Sequence, residues 1–163
     1  MVAMQPRFET LAEKKLVGKH IRMSLTTIKT GQLWASFGPL QKEIKNRVGT
    51  DRYSIEVYND LSYFTSFSPA NEFEKWAAVE VSDFAIIPEG LETITLSGLY
   101  VVFIHKGPPS TGPKTYQYIY MDWLPNSHYL LDNRLHFAVM GEKYKGEAPD
   151  SEEELWIPVK SKN

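Results

Sequence analysis

The sequence predicts an α+β fold in which a β-β-α-β-β module occurs twice with pseudo-twofold symmetry. This gives an antiparallel sheet with two helices on one face and a central cleft. Three observations predict it: short β-branched and aromatic segments, two helical stripes of apolar residues, and patterns that recur at a nearly constant offset. The 163 residues suffice for one domain with its own core. We expect its two copies to span about residues 7–82 and 90–160.

The first half contains three stretches of strand composition and one of helical periodicity. The strands are predicted at Phe8–Met23, Arg52–Tyr58 and Lys75–Val81. Val17-Gly18 divides or kinks the first of them, and residues 59–71 are rich in turn formers. A helix begins at Thr30-Gly31, and Pro39 forces a kink or restart in it. Its apolar stripe consists of Leu33, Trp34, Phe37, Leu40 and Ile44.

The second half repeats this order. Its strands are predicted at Leu91–Leu96, Gly98–Ile104, His136–Met140 and Glu154–Val159. A Gly- and Pro-rich loop, 105–112, precedes a helix that begins at Thr111-Gly112-Pro113, with Pro at the first helical position. One face of that helix carries Tyr116, Ile119, Tyr120 and Trp123. Leu124-Pro125 ends it.

Three residue patterns occur in both halves, in the same order and at offsets of 80 to 83 positions. They are Phe8-Glu9-Thr10-Leu11 with Leu91-Glu92-Thr93-Ile94, Thr30-Gly31 with Thr111-Gly112, and Glu74-Lys75-Trp76-Ala77-Ala78-Val79 with Glu154-Leu155-Trp156-Ile157-Pro158-Val159. One match alone has little weight, but three in one order favour an internal duplication. The cleft is then expected between the two halves.

Charge and residue counts exclude several classes of protein. With 18 Lys+Arg against 20 Asp+Glu and a pI of about 6.1, the chain lacks the basic surface of a dedicated nucleic-acid binder. The absence of Cys excludes disulfides and thiolate chemistry. No apolar run is long enough to span a bilayer, and the N-terminus lacks a signal pattern. We therefore expect a cytoplasmic protein that binds neither nucleic acid nor membranes.

Other common sites are not indicated by the sequence. The four histidines lack metal-ligand spacing, and no P-loop, dinucleotide or nucleophile-elbow fingerprint occurs. We expect no metal and no cofactor. Glu152 and Glu153, which follow Pro149-Asp150-Ser151, are expected in a solvated turn, with the last strand beginning near Glu154.

Alternation along the last strand of each half places a Glu and a Trp on the same face. Leu155, Ile157 and Val159 give the last strand an apolar face for a helix, and Glu154 and Trp156 point the other way. Glu74 and Trp76 occupy the equivalent positions. Such a face is either simply exposed to solvent, as in many antiparallel sheets, or lines a cleft. Rings beside a carboxylate suit a cationic amphipathic ligand, and desolvation of the same carboxylate suits acid–base catalysis.

The C-terminal half contains four distinctive segments: residues 124–132 (LPNSHYLLD), 141–144 (GEKY), 154–159 (ELWIPV) and 98–103 (GLYVVF) ahead of His105-Lys106-Gly107. In these segments the chain resembles the GyrI-like small-molecule-binding domains, which also serve as effector-binding domains of AraC-type and MerR-type multidrug regulators. It covers about Arg7 to Lys160. His128 and Leu130 depart from the Gly and Glu usual in the family, so the local turn is expected to differ.

The resemblance implies that the protein binds hydrophobic, often cationic, molecules in an aromatic pocket around a buried glutamate. By position that glutamate is Glu154, and the Trp that closes the second helix is Trp123. Together with the strand faces, this predicts ligand binding by Glu154, Trp123, Trp156, Trp76, Tyr120, Tyr116 and Tyr100. Some stand-alone members resemble hydrolases of cyclopropane-bearing DNA-alkylating compounds, for which Glu154 and Glu74 are the candidate catalytic groups.

Three functions therefore remain open. The protein is a binding module for a hydrophobic or cationic aromatic small molecule, a detoxifying hydrolase, or a protein-binding inhibitor of the gyrase type. The β pattern occupies Phe8 to Val159, which leaves no room for a helix-turn-helix, so we expect a stand-alone domain without a DNA-binding partner. The oligomeric state is not predicted.

Overall fold

The computed structural model describes residues 5–162 as a seven-stranded antiparallel sheet with short helices. The strands are β1 Arg7–Met23, β2 Arg52–Val57, β3 Phe73–Glu80, β4 Glu92–Lys106, β5 Tyr129–Leu131, β6 His136–Met140 and β7 Glu152–Ser161. The helices are α1 Thr30–Phe37, α2 Ser62–Thr65 and α3 Gly112–Tyr118. Two 3₁₀ turns, Gly38–Glu43 and Pro109–Thr111, and a π-helical turn, Ile119–Trp123, complete the elements. The predicted α+β class is confirmed.

The sheet closes on itself. Its strand order is β4-β1-β3-β2-β6-β7-β5, and β4 pairs with β7 as well as with β1. Six strands thus form a ring, while β5 adds to the C-terminal end of β7. Closure gives the sheet an inner and an outer face. The two ends of β1 are each paired on one side only, Arg7–Leu11 with β4 and Lys19–Met23 with β3.

Side chains alternate between the two faces and form three apolar clusters. The inner cluster consists of Leu16, Tyr53, Ile55, Trp76, Ala78, Leu96, Tyr100, Val102, Phe137, Val139 and Trp156. On the outer face, α1 packs over β1 and β3, and α3 with its π-helical turn packs over β4, β6 and β7. Both helices therefore lie on one face, as predicted. The middle strands β2 and β6 lie between them and form the floor of a cleft.

The two longest strands are continuous. The sequence predicted a division or a kink of β1 at Val17-Gly18, and two separate strands where β4 runs through Ser97-Gly98. Gly18 lies inside β1 opposite Ala78. The position requires a glycine because a Cβ here would come within 2.1 Å of the carbonyl oxygen of Ala77. Gly98, with φ of +99°, bends β4 beside the guanidinium of Arg134. These glycines permit close approach and bending rather than ending a strand.

The helices begin and end close to the predicted positions. α1 ends at Phe37, and the 3₁₀ turn that contains Pro39 follows it directly, which is the expected restart. α2 and β5 were not predicted from the sequence. No helix in residues 5–162 is long and apolar enough to cross a membrane.

Replacing Gly18 with Ala tests the close packing of β1 on β3. The new methyl group meets backbone atoms of β3 that have no room to move, so we expect Gly18→Ala to lower the free energy of unfolding by about 3 kcal/mol or more. Gly31→Ala is the control, because nothing lies within 4 Å of a Cβ there. Chemical denaturation measures both, and equal stabilities of the two variants would contradict the packing argument.

Candidate functional site

Three of the predicted ligand-binding residues are packed inside the closed sheet. Trp76, Trp156 and Tyr100 are 5%, 8% and 1% exposed. The Trp156 ring stacks on Phe137 with centroids 5.0 Å apart, and Tyr100 contacts both rings edge-on. The Tyr100 hydroxyl donates a 2.7 Å hydrogen bond to the carbonyl of Leu135, and burial raises its pKa to about 12. These rings belong to the inner cluster of the sheet. Trp76 also lines a depression of about 480 Å³, together with Ile87, Leu91, Glu92 and Thr93.

The two predicted catalytic glutamates lie on the same face, each bonded to the Trp two residues further along its strand. The indole N–H of Trp76 donates to Glu74 Oε1 over 2.5 Å, and that of Trp156 donates to Glu154 Oε1 over 3.0 Å. Each glutamate side chain is 33% exposed. The same hydrogen bond thus occurs in both halves, which supports the duplication. The duplication itself stays a prediction.

Each Glu–Trp pair also has a basic partner from β1. Arg7 donates to Glu154 Oε2 over 2.9 Å, and its guanidinium lies 5.7 Å from the centroid of the neighbouring indole ring. His20 stacks on the other indole at 4.7 Å and contacts the carboxylates of Glu74 and Glu92. Glu154 is therefore ion-paired and partly exposed, whereas the resemblance implies a buried glutamate.

A depression of about 290 Å³ opens next to Glu154. It is lined by Asp51, Ile104, Val139, Gly141, Glu142, Lys143, Glu152, Glu153 and Glu154. Carboxylates dominate this lining and no aromatic ring belongs to it. The depression therefore lacks the apolar walls that small-molecule pockets usually have.

Trp123 lies apart from the other predicted tryptophans, on the outer side of the sheet. It belongs to the π-helical turn after α3, where it is half-buried. Its ring meets Phe103 edge-on at 5.2 Å and lies 6.2 Å from Phe8. The structure therefore does not bring the predicted site residues together in one place.

The last two predicted residues, Tyr116 and Tyr120, belong to a cleft between α1 and α3 on the outer face. We call it the aromatic cleft, and its residues are Glu56, Tyr58, Tyr63, Phe64, Phe73, Tyr116, Tyr120 and His136. Tyr116 and Tyr120 stack with centroids 6.2 Å apart and ring planes inclined by 10°. Phe64 of α2 lies 5.1 Å from Tyr120 and 5.3 Å from His136. Rings from α2, α3 and β6 therefore meet over the middle of the sheet.

The floor of the aromatic cleft consists of small side chains beside one carboxylate. Ser54 of β2 pairs with Ala77 of β3 and Ala138 of β6, and all three are buried. Glu56, two residues further along β2, is only 7% exposed. The floor between the two helices therefore carries small side chains rather than rings.

Glu56 gives the aromatic cleft a buried negative charge with one cation bound to it. The ammonium of Lys75, its cross-strand neighbour, donates to Glu56 Oε2 over 2.6 Å. Tyr58, Tyr116 and Tyr120 have pKa values well above the ordinary value, first because the surrounding protein desolvates them and then because Glu56 repels their phenolates. The tyrosines are therefore neutral hydrogen-bonding groups at physiological pH.

His136 is the neutral imidazole of the aromatic cleft. It is 3% exposed, its Nδ1 is hydrogen-bonded to the hydroxyl of Tyr120 at 3.0 Å, and the ring of Tyr58 meets it edge-on. Burial lowers its pKa to about 3, with a smaller contribution from Arg134. The ring contributes polarisable surface and a hydrogen bond rather than a charge.

The expectation of a solvated turn at Glu152 and Glu153 is wrong. β7 begins at Glu152, and Glu153 is half-buried on the strand. Burial raises its pKa, and nearby Glu56 raises it further, while His105 and Lys75 act in the opposite direction. The run of three glutamates therefore extends strand β7 instead of preceding it, with Glu153 on the face opposite Glu154.

The importance of Glu56 was missed although the sequence contains its signal. In residues 52–58 (RYSIEVY), alternation places Tyr53 and Ile55 on one face and Glu56 and Tyr58 on the other. A Glu and a Tyr on the helix-bearing face indicate a polar site with aromatic walls.

Among the described residues no group of His, Asp and Glu side chains is arranged to hold a metal ion.

Comparison with known proteins gives one family and several shared folds. The family model described as the GyrI-like small molecule binding domain matches residues 4–160. The C-terminal domain of EcmrR superposes with a TM-score of 0.73 at 18% identity, covering 98% of this chain and 99% of that one. SAV2435 bound to tetraphenylphosphonium superposes with a TM-score of 0.65 at 17% identity, covering 96% and 94%. A hydrolase encoded by lin2189 from Listeria innocua gives 0.61 at 11% identity, covering 96% and 92%. A comparison with curated proteins gave no significant match.

The buried imidazole predicts a specific pH dependence of stability. His136 accepts a proton in the unfolded chain near its ordinary pKa of 6.5, but in the folded protein only near 3. The unfolded state therefore binds more protons below pH 6.5, and stability falls as the pH decreases. Between pH 7 and pH 5 this group contributes a loss of about 2 kcal/mol.

Denaturant titrations of wild type and His136→Gln at the two pH values measure this contribution. We expect the loss on acidification to be smaller in the variant by about that amount. His128→Gln, at an exposed position, is the control and should behave like wild type. Parallel losses in wild type and His136→Gln would show that the imidazole is not held neutral in the fold.

Proposed function

Since the chain belongs to the GyrI-like family of small-molecule-binding domains, we propose that it binds hydrophobic, polycyclic or cationic organic molecules in the aromatic cleft. The observation that carries the proposal is the buried carboxylate of Glu56 close to the rings of Tyr58, Tyr116 and Tyr120. Aromatic walls supply contact area and face-on contacts, and a few polar groups orient the molecule. Sensing, sequestration and drug resistance are the roles that such binding serves.

The proposal assigns binding to the outer face for a physical reason. Tyr116 and Tyr120 are half-buried and retain access to solvent, while the rings of the inner face pack tightly against one another. Entry between the inner rings would require separating Tyr100, Phe137 and Trp156, whose ring centroids lie 5.0 to 5.8 Å apart. Entry into the aromatic cleft requires that Phe64, on the four-residue helix α2, moves off its neighbouring rings. These rings are Tyr58, Tyr63, Tyr120 and His136. The solved structure of SAV2435 with tetraphenylphosphonium supports an organic molecule as the type of ligand.

A pair of probes with the same three phenyl rings tests the proposal. Methyltriphenylphosphonium is a permanent cation, and triphenylphosphine oxide is uncharged. We expect calorimetry to detect binding of at least one of them, and Tyr120→Leu to weaken it at least tenfold through loss of ring contact, about 1.4 kcal/mol.

Trp156→Phe and Glu154→Gln are the matched variants on the inner face, and they test the residues predicted from the sequence. We expect both to leave the affinity within threefold of wild type. A loss of affinity in these two variants, with none in Tyr120→Leu, would place the ligand on the inner face instead.

Hydrolysis is a second candidate, favoured by the half-buried carboxyl of Glu153 near Tyr116 and Glu56. A carboxyl with a raised pKa is a suitable proton donor for the opening of a strained ring by water. We expect such an activity to show many turnovers of an electrophilic cyclopropane-bearing substrate and to be abolished in Glu153→Gln. Glu154→Gln and Glu74→Gln test the groups predicted from the sequence. Stoichiometric binding of such a substrate with no product formed would eliminate hydrolysis and leave binding.

A further inference from the structure

The Lys75–Glu56 ion pair occupies the position in the aromatic cleft that a cationic ligand would need. The two residues face each other on β3 and β2, and their side chains are 15% and 9% exposed. The ammonium lies 2.6 Å from the carboxylate. The buried carboxylate therefore already has a cation, supplied by the chain itself.

Among the described residues, the other groups around Glu56 add no second cation in contact with its carboxylate. The tyrosines and His136 are neutral at physiological pH, as their shifted pKa values require. His105 is hydrogen-bonded to Thr115 and to the carbonyl of Pro108, and Arg52 lies between the rings of Trp34 and Tyr144. Glu153, whose pKa is raised by burial, is the second acid of this face. Lys75 is thus the cation in contact with Glu56.

We propose that Lys75 sets the charge preference of the aromatic cleft, so that it takes uncharged aromatic molecules with a hydrogen-bond acceptor in preference to permanent cations. The inference rests on the proposed function and specifies its ligand class. A permanent cation has to separate a buried ion pair or approach an ammonium, and both are unfavourable in a poorly hydrated site. An ammonium has three N–H donors, and the hydrogen bond to Glu56 uses one. A carbonyl, ether or phosphine oxide oxygen accepts another without disturbing the pair.

The two triphenyl probes measure this preference directly. We expect wild type to bind triphenylphosphine oxide at least tenfold more tightly than methyltriphenylphosphonium. In Lys75→Gln the side-chain amide still donates to Glu56. The negative charge of the carboxylate is then no longer neutralised by an ammonium. The ratio of the two affinities should then shift toward the cation by at least tenfold.

Matched variants separate the charge of Lys75 from its place in the fold. Lys75→Arg retains the positive charge and should keep the preference of wild type. Lys14→Met removes another half-buried Lys–Glu contact, to Glu80 at 3.1 Å, outside the aromatic cleft, and should also leave the ratio unchanged.

The outcomes distinguish the inference from the proposed function. Binding of neither probe by wild type or any variant overturns the proposed function. Binding of both probes, with an affinity ratio that is the same in Lys75→Gln as in wild type, overturns the inference alone. A wild type that binds methyltriphenylphosphonium more tightly than triphenylphosphine oxide also overturns the inference. This comparison needs no variant, so it can be made even if Lys75→Gln fails to fold.

Discussion

The pairing of β4 with β7 is the constraint on which the rest of the structure depends. It joins β4 and β7, the outer members of the six-strand series β4-β1-β3-β2-β6-β7, into a ring, so every strand of the ring has one face turned inward. The inward face holds the large rings of Tyr100, Phe137 and Trp156. The outward face is left to the helices, and the strands between the helices become the floor of a cleft. One backbone pairing thus decides which aromatic residues are core and which are accessible.

The fold was largely readable from the sequence because its signals are local. Two-residue alternation placed Leu155, Ile157 and Val159 under a helix, and the 3.6-residue period placed Leu33 and Phe37 on the sheet. Pro and Gly at the starts and ends of helices act through the chain's own dihedral angles. Gly18 shows the limit of such reasoning. Its sequence context favours a break, but the contact that requires it comes from β3, about sixty residues away.

The candidate site was less predictable because it depends on closure. Alternation correctly put Glu154 and Trp156 on the face away from the helices, but no local pattern says whether that face is a cleft or a filled interior. That distinction follows from the long-range pairing of β4 and β7. The contribution of α2 was equally hard to predict, since residues 59–71 have the composition of turns. It depends on the long-range contacts of Phe64 with Tyr120 and His136.

The three carboxylates that lie beside rings share one electrostatic feature. Glu154 is paired with Arg7, Glu74 lies near His20, and Glu56 is bonded to Lys75. A charge taken out of water is unfavourable unless a partner remains close, so a chain that buries carboxylates among aromatic rings has to supply their counter-ions. A ligand that enters such a place therefore competes with, or adapts to, a cation already present. In the proposed binding mode, ligand charge is thus determined by the ion pairs of this chain rather than by the aromatic walls.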